Sequence, residues 1–564
     1  MSDKEVVKLK KEIGKLKAEL KSLKKTKKFG LVWEEREREL GIDDGEGYYP
    51  YLVKKGQDFG IENGDSNKNI LIEGDNYHAL EILNYTHKEK IDVIYIDPPY
   101  NKGKDFKYGD KWIDKEDGYR HSYWLSFMNK RLRLAKTLLA DDGVIFISID
   151  DIEHARLKLL CDDIFGTTNF IGNITWEKRT KAQNTKTAKD LLQSKTEYIL
   201  AYKKSSKKIR FNLEENGIKT YDLMDDKGEY RLKVVEEMSA LGMRARATMI
   251  FEIEGISPKI NNQWKVGKDE VLKYQERGDL DIIEDKPYFR VRPTDEDSTK
   301  TLPFWSHFLS KEIGTAESGK SELSDILGTK KHGFETVKPI ALIKKLIAHV
   351  KTKTSTPIIL DFFAGSGTTG HAIMSMYQEI NDKLHPQYIL VTNNENNICE
   401  EITYPRLLKV INGYTIQKLK KSIDVPPINS NLEYLKIQTL AHDDKKHSDL
   451  DIKEFMVDKC TEIIKVKERC FDLQPINDFL LRFNKEDKEV YVLQNIYDMT
   501  PKDYEEAREA INKSTSPIAT MYILALQNQN HYRRKFKDVK KQIIFEPLPE
   551  NFLRILRQIQ RKKR

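Results

Sequence analysis

The chain of 564 residues is 39% hydrophobic and 33% charged, which allows several domains with real cores beneath a highly charged surface. No long uncharged apolar run and no apolar signal core occur, so neither a membrane span nor export is expected. Cys161, Cys399, Cys460 and Cys470 lack paired spacing, which argues against a thiolate metal site or disulfide framework and for a reducing cytoplasm. The net charge of +8 is concentrated in residues 1–28, where eleven Lys face four Asp or Glu (+7), leaving +1 for the rest; any nucleic-acid surface must be a local patch.

Within 1–28, Val6, Leu9, Ile13, Leu16, Leu20 and Leu23 alternate spacings of three and four, predicting a basic helix or short coiled coil. This start and the basic end RILRQIQRKKR read first as solvated tails. From residue 68 the pattern is α/β. NILIEGDN is a strand ending at Gly74-Asp75, and the helix YHALEILNYTHK follows. IDVIYIDPPYN (91–101) is a second strand, a helix spans 120–140, VIFISID is a third strand, and DIEHARLKLLCDDIFG is a helix. Such alternation predicts a largely parallel sheet covered on both faces. Between 175 and 330 the rhythm is lost, and an inserted domain is predicted, with strands TEYILAYKK and KIRFNL and a charged helix VEEMSALGMRARATMIFE. The rhythm resumes with KPIALIKKLIAHV, PIILDFFAG, TTGHAIMSMYQEI and QYILVTNNE. Beyond about 425 a further α/β region is predicted, with the strand EVYVLQNI and helices after Pro501 and around 516–527.

Two segments carry chemistry. In the first, Pro98 and Pro99 fix the backbone beyond Asp97, so Asp97 and Tyr100 stand on a stiff hook at a strand end; a plain strand and tight turn is the bland alternative. In the second, DFFAGSGTTG (361–370), Gly365, Gly367 and Gly370 satisfy GxGxxG, and Glu395 ends the next strand. Glycines let the backbone approach a ligand, and a strand-end acid binds a ribose hydroxyl, so any adenosine-bearing cofactor fits, NAD included. A hydride-transfer enzyme gives no reason for the hook, whereas methylation of an exocyclic amine does. The amine lone pair is delocalised into the ring. Asp97 and the Pro98 carbonyl can accept its protons and localise the pair, while Tyr100 stacks on a base swung out of its helix. No metal is required.

Trp112, Tyr119, Tyr123 and Trp124 line either a base pocket or, more commonly for such aromatics, the core. Lys178, Arg179, Lys181, Asn184 and Lys186 either hold DNA phosphates or form a solvated face.

In conjunction, IDPPYN and DFFAGSGTTG resemble the β-class amino-methyltransferases of DNA restriction-modification systems over about residues 30–410. The resemblance implies a Rossmann-like α/β sheet dependent on S-adenosyl-L-methionine, in a catalytic half (29–174) and a cofactor half (331–425). A target-recognition domain (175–330) would lie between them, and a C-terminal α/β accessory domain (426–564) would serve dimer or partner binding. It implies catalytic roles for Asp97, Pro98, Pro99 and Tyr100. Cofactor contacts would come from Asp75, Asp361, Phe362, Phe363, Ala364, Gly365, Ser366, Gly367, Thr368 and Glu395, and from Lys338 in FETVKP. The size, the LVWEE segment and the C-terminal extension look most like the modification (Mod) subunit of Type III systems. That implies adenine N6 methylation in double-stranded DNA, a homodimer, a Res helicase-nuclease partner and a cytoplasmic, nucleoid-associated setting. A solitary enzyme or a subunit of another system is the alternative, with cytosine N4 disfavoured because such enzymes usually carry serine where Asp97 stands.

Overall fold

The computed structural model describes residues 33, 48–56, 60, 68–102, 107–108, 111–112, 118–181, 192–215, 220–242, 245–296, 301–379, 385–418, 421–441, 448–483, 489–513, 516–526 and 529–561. The expected helix over 1–28 and all of LVWEE except Trp33 lie outside them.

The central sheet is assembled from strands distant in sequence. In chain order its elements are β1 (Tyr48–Lys54), β2 (Lys68–Glu73), α1 (Asn76–Thr86), β3 (Ile91–Ile96), α2 (Arg120–Leu138), β4 (Leu139–Ile149), α3 (His154–Phe165), β5 (Phe170–Glu177) and β6 (Thr196–Lys203). After the insertion come α4 (Ala316–Leu327), α5 (Ile340–His349), β7 (Ile358–Asp361), α6 (Thr368–Glu379), β8 (Gln387–Thr392), α7 (Tyr404–Asn412) and β9 (Asn431–Ala441). Their spatial order is β1-β9-β2-β8-β7-β3-β4-β6-β5, closed by the two-residue strand His307–Phe308. The six strands from β9 to β4 are mutually parallel; β1 is antiparallel to β9, β6 is antiparallel to β4 and β5, and β5 is parallel to His307–Phe308. Central strands read as unbroken apolar runs because both faces are covered; in β3 every residue but Asp92 is buried.

The topology places the site. From β3 the chain moves outward to β4, whereas from β7 it moves the opposite way to β8, although β3 and β7 are neighbours. Their following loops diverge and leave a crevice at the carboxyl edge, where sheets of this kind bind ligands. Asp97 follows β3 and Asp361 ends β7, so both chemical motifs reach this crevice.

Several expected boundaries and elements are corrected. The chain divides into two compact units, and the inserted one is Asn212–Phe304, narrower than 175–330. Residues 175–203 belong to the main unit because β5 pairs with β6, and β6 pairs with β4. The inserted unit has a four-stranded antiparallel sheet built from Leu223–Asp225, Gly228–Val234, Lys286–Val291 and Leu280–Ile283. Its core contains Trp264, Phe289 and Tyr274, the last stacked on Phe289. The charged helix expected over 235–252 is a short strand, Glu237–Ser239, and a 3-10 turn, Ala247–Met249, because the strand pairs with Asn262–Trp264. KIRFNL contributes a single bridge, Phe211 to Val350.

The accessory boundary at 426 also moves. The strand β9 lies inside the main sheet, and the helix Asp449–Glu468 packs on β1 and α1. A separate five-stranded sheet follows, with Leu473–Pro475, Leu480–Phe483, Glu489–Leu493, Ile518–Leu524 and Gln542–Leu548 in that order. The helix expected near 516–527 is therefore a strand, paired on both sides. A short apolar run suits a buried strand as well as a buried helix, and IATMYIL is rich in β-formers.

Candidate active site

The hook after β3 is held at two points, the second reinforced from behind. Trp124 on α2, fully buried, donates its indole N–H to the Pro99 carbonyl at 2.7 Å. Asn101, at φ 60°, donates its amide to Glu153 Oε1 at 2.6 Å. His121 Nδ1 lies 2.5 Å from the same oxygen. With two prolines fixing φ between these anchors, Asp97 has little freedom at its backbone. Its side chain stays 32% exposed, which leaves a route for a ligand.

A buried charge cluster surrounds that carboxylate. Lys338, just before α5, donates to Asp97 Oδ1 at 2.9 Å and Oδ2 at 2.8 Å, and its Nζ lies 3.2 Å from Glu197 Oε2. It also donates to the Tyr100 hydroxyl at 2.9 Å, which in turn donates to Asp97 Oδ1 at 2.6 Å. On the far side Lys178 donates to Glu197 Oε1 at 3.0 Å. Two carboxylates and two ammoniums thus alternate in a nearly dry space, where an unpaired charge would be costly and a paired one is tolerated. Burial pushes the Glu197 carboxyl up, but Lys338 and Lys178 overcome it and hold it down at about 2. Burial likewise works against the Lys338 ammonium, yet Asp97 and Glu197 leave it raised above the ordinary lysine value. Burial and the neighbouring Asp97 and Glu197 keep the Tyr100 phenol protonated far above its usual range.

The glycine turn after β7 uses different means. The buried Asp361 accepts from the Phe363 amide at 3.0 Å and from the Thr369 hydroxyl at 2.5 Å, so its carboxyl braces the turn and the start of α6. Burial, with no cation in contact, pushes it up to about 7. The Ala364 amide bonds to the Val391 carbonyl on β8 at 3.0 Å, and Thr403 donates to the Gly365 carbonyl at 2.6 Å. Gly365 and Gly367 sit at φ 48° and 74°, and a Cβ on Gly367 would approach Thr403 Cγ2 at 3.2 Å. These are left-handed positions that favour glycine. Beneath the turn, fully buried Arg406 on α7 donates to the Ser366 carbonyl at 3.2 Å and to the Thr368 hydroxyl at 2.8 Å. Burial pushes its guanidinium down to about 10.

The remaining candidates distribute along the same edge. Asp75 caps α1 by accepting from the Tyr77 amide at 2.7 Å, pairs with Arg131 at 3.2 Å and stays half-exposed. Its neighbour Asn76 donates to the Phe362 carbonyl at 2.9 Å, tying the β2 loop to the glycine turn. Glu395 lies half-buried in a 3-10 turn beyond β8, whose Thr392 pairs with Glu73 of β2. Acids therefore stand beyond four successive strands, β2, β8, β7 and β3. Phe362 is buried and Phe363 partly so, against Phe127 at 5.9 Å between ring centroids.

Some expectations change on this geometry. Lys338, grouped with the cofactor residues by resemblance, is bound instead to Asp97 and Glu197. Lys178, considered for phosphate contact, is buried and paired with Glu197, so it is not an open cation. Arg179 is half-buried, Lys181 is exposed, and Asn184 and Lys186 lie outside the described residues. Tyr100 is 8% exposed, with Lys102 Nζ 4.8 Å from its ring centroid. Among the aromatics, Tyr123 and Trp124 are core residues and Tyr119 is exposed. Sequence reasoning missed Glu197 and Arg406. A lone acid in the otherwise apolar strand TEYILAYK, and an arginine on the apolar face of α7, were the available signals. No helix among the described residues is long and apolar enough to cross a membrane, and no group of three His, Cys, Asp or Glu there could hold a metal ion.

The sequence is similar to those of known proteins. The profile of a DNA methylase family of N6/N4 type matches residues 91–403. The Type III restriction-modification enzyme StyLTI Mod subunit of Salmonella typhimurium is 31% identical over 69% of this chain and 63% of its own length. The Type II methyltransferase M.KpnI of Klebsiella pneumoniae is 30% identical over 67% of this chain and 92% of its own length. The EcoP15I Mod subunit of Escherichia coli is 28% identical over 59% of this chain and 60% of its own length. The chain thus spans about three fifths of the length of these Mod subunits.

Proposed function

The chain belongs to the DNA methylase family of N6/N4 type, and from that premise we propose that it transfers a methyl group from S-adenosyl-L-methionine to adenine N6 in double-stranded DNA. One observation carries the reading. The Asp97 hook and the Gly365–Gly367 turn follow neighbouring parallel strands, β3 and β7, and open into one crevice.

The residues fit such a cofactor. Glycines in left-handed geometry leave room for close approach, Glu395 would hold a ribose and half-exposed Asp75 an adenine amino group. When bound, the cofactor supplies an electrophilic methyl on a sulfonium. The chain does the rest. Asp97 and the Pro98 carbonyl accept hydrogen bonds from the target amine, and this concentrates its lone pair on nitrogen. Prolines and Trp124 preorganise those acceptors, which is where such catalysis gains most. The base must leave its duplex to reach them, and Tyr100 forms the wall against which it rests. The proton shed by the amine passes first to Asp97, whose partial exposure lets it exchange with solvent.

By likeness to the Mod subunits, we place the chain in a Type III restriction-modification system in the cytoplasm, as a homodimer joined by a Res helicase-nuclease. The insertion 212–304 would supply target recognition. The decisive assay supplies methyl-tritiated S-adenosyl-L-methionine and unmodified plasmid DNA, then identifies the labelled nucleoside. N6-methyladenine is expected. Label in N4-methylcytosine would overturn the base assignment, and full activity of Asp97→Ala would overturn the mechanism.

A further inference from the structure

We propose that Glu197 is a positioning residue that frees Asp97 for the target amine by receiving the Lys338 ammonium. The inference rests on reading Asp97 as the acceptor of that amine. As the cluster stands, Lys338 occupies both Asp97 oxygens and the Tyr100 hydroxyl occupies Oδ1 again. These bonds take three of the carboxylate's roughly four acceptor sites, and the ammonium neutralises its charge, so the amine bonds to Asp97 most strongly once the ammonium withdraws from one oxygen. A buried lysine that lost its carboxylate with nothing in exchange would be strongly disfavoured.

Glu197 removes that obstacle. Its Oε2 is already 3.2 Å from Lys338 Nζ, so a small displacement transfers the ammonium from one carboxylate to the other without exposing an unpaired charge. An ammonium carries three donors that rotate freely, which suits it to such a shift. Lys178 grips the opposite oxygen, Oε1, at 3.0 Å and keeps Glu197 in place while Lys338 moves. The strand β6 supplies Glu197, and its backbone is fixed by pairing with β4 and β5. The groups facing Lys338 are Asp97 and Tyr100 from the hook, Glu197 from β6 and the Trp176 ring from β5 at 5.9 Å. Lys178 lies behind Glu197, Lys102 over the Tyr100 ring and Asp361 near Asp97.

The test uses the full chain, methyl-tritiated S-adenosyl-L-methionine and unmodified plasmid DNA. Glu197→Gln leaves Lys338 clamped on Asp97, so kcat should fall by about tenfold or more, while KM for S-adenosyl-L-methionine changes little. Glu197→Asp should restore much of kcat. A structural loss alone would be unrelieved by aspartate and would not confine itself to kcat. The double variant Lys178→Met/Glu197→Gln removes one charge of each sign and guards against misfolding; it should fold and still show the low kcat. Wild-type kcat in either Gln variant, or no recovery of kcat in Glu197→Asp, overturns the proposal. If Asp97→Ala is inactive while Glu197→Gln is fully active, only this proposal fails; activity in Asp97→Ala would refute the underlying reading instead.

Discussion

Glu197 and Asp361 are both buried carboxylates close to Asp97, one from β6 and the other from the end of β7. Glu197 touches two ammoniums and is held at about 2; Asp361 touches an amide and a hydroxyl and is pushed up to about 7. The hook side of the crevice is therefore organised by paired opposite charges, and the glycine-turn side by neutral donors, the Arg406 guanidinium and left-handed backbone. A charge cluster can change partners without changing the fold, which suits the side where the target base must be accepted. A turn braced by amides, hydroxyls and a guanidinium that bonds only neutral acceptors there keeps one shape, which suits the side that cradles a cofactor.

The contrast breaks most visibly at Lys338. Lys338→Met takes from Asp97 and Glu197 the ammonium they share and leaves Lys178 bonded to Glu197 alone, so urea unfolding should show a loss of about 3–5 kcal/mol. A loss under about 1 kcal/mol would mean that water already screens the cluster. Asp97→Ala should lower kcat by about 10²–10³-fold, an effect comparable to removing one preorganised acceptor or donor elsewhere. Binding of S-adenosyl-L-methionine, measured calorimetrically, should be nearly unchanged, because the glycine turn is braced independently. Gly367→Ala should act the other way: strain at φ 74° and the approach to Thr403 should cost about 1–3 kcal/mol of stability and weaken cofactor binding.

The two sides also differ in pH dependence. The folded value of Asp361, about 7, lies above its ordinary 3.8, so its stabilising contribution is full below 3.8 and is lost as pH rises through 7. Glu197, about 2 against an ordinary 4.5, stabilises above 4.5 and loses that contribution as pH falls towards 2. Thermal unfolding of the wild type relative to Asp361→Asn should therefore decline between roughly pH 4 and 7, by at most about 1.4 kcal/mol per unit. Relative to Glu197→Gln, the decline should lie below that window. Coincident windows would show that the two sides of the crevice do not differ as described.

Much of this site was legible in the residues. IDVIYI could hardly be anything but a buried strand, and two prolines after Asp97 left few conformations for the hook. DFFAGSGTTG combined a buried strand, left-handed glycines and a helix start in one segment. By contrast, IATMYIL was misread as a helix because a short apolar run has no period that distinguishes the two, and its pairing partners decide. Residues 175–203 were assigned to the insertion because an antiparallel β5–β6 pair breaks the α/β rhythm without leaving the sheet.

Local pattern, then, determined by itself the strands, the hook and the glycine turn, since backbone restriction and apolar periodicity act over a few residues. Only the tertiary structure decided that Lys338, 241 positions from Asp97, sits on its carboxylate, and that Glu197 and Lys178 complete the cluster. Pairing of buried charges depends on which strands the sheet brings side by side, and nothing in the spacing of single lysines and glutamates along the chain records that.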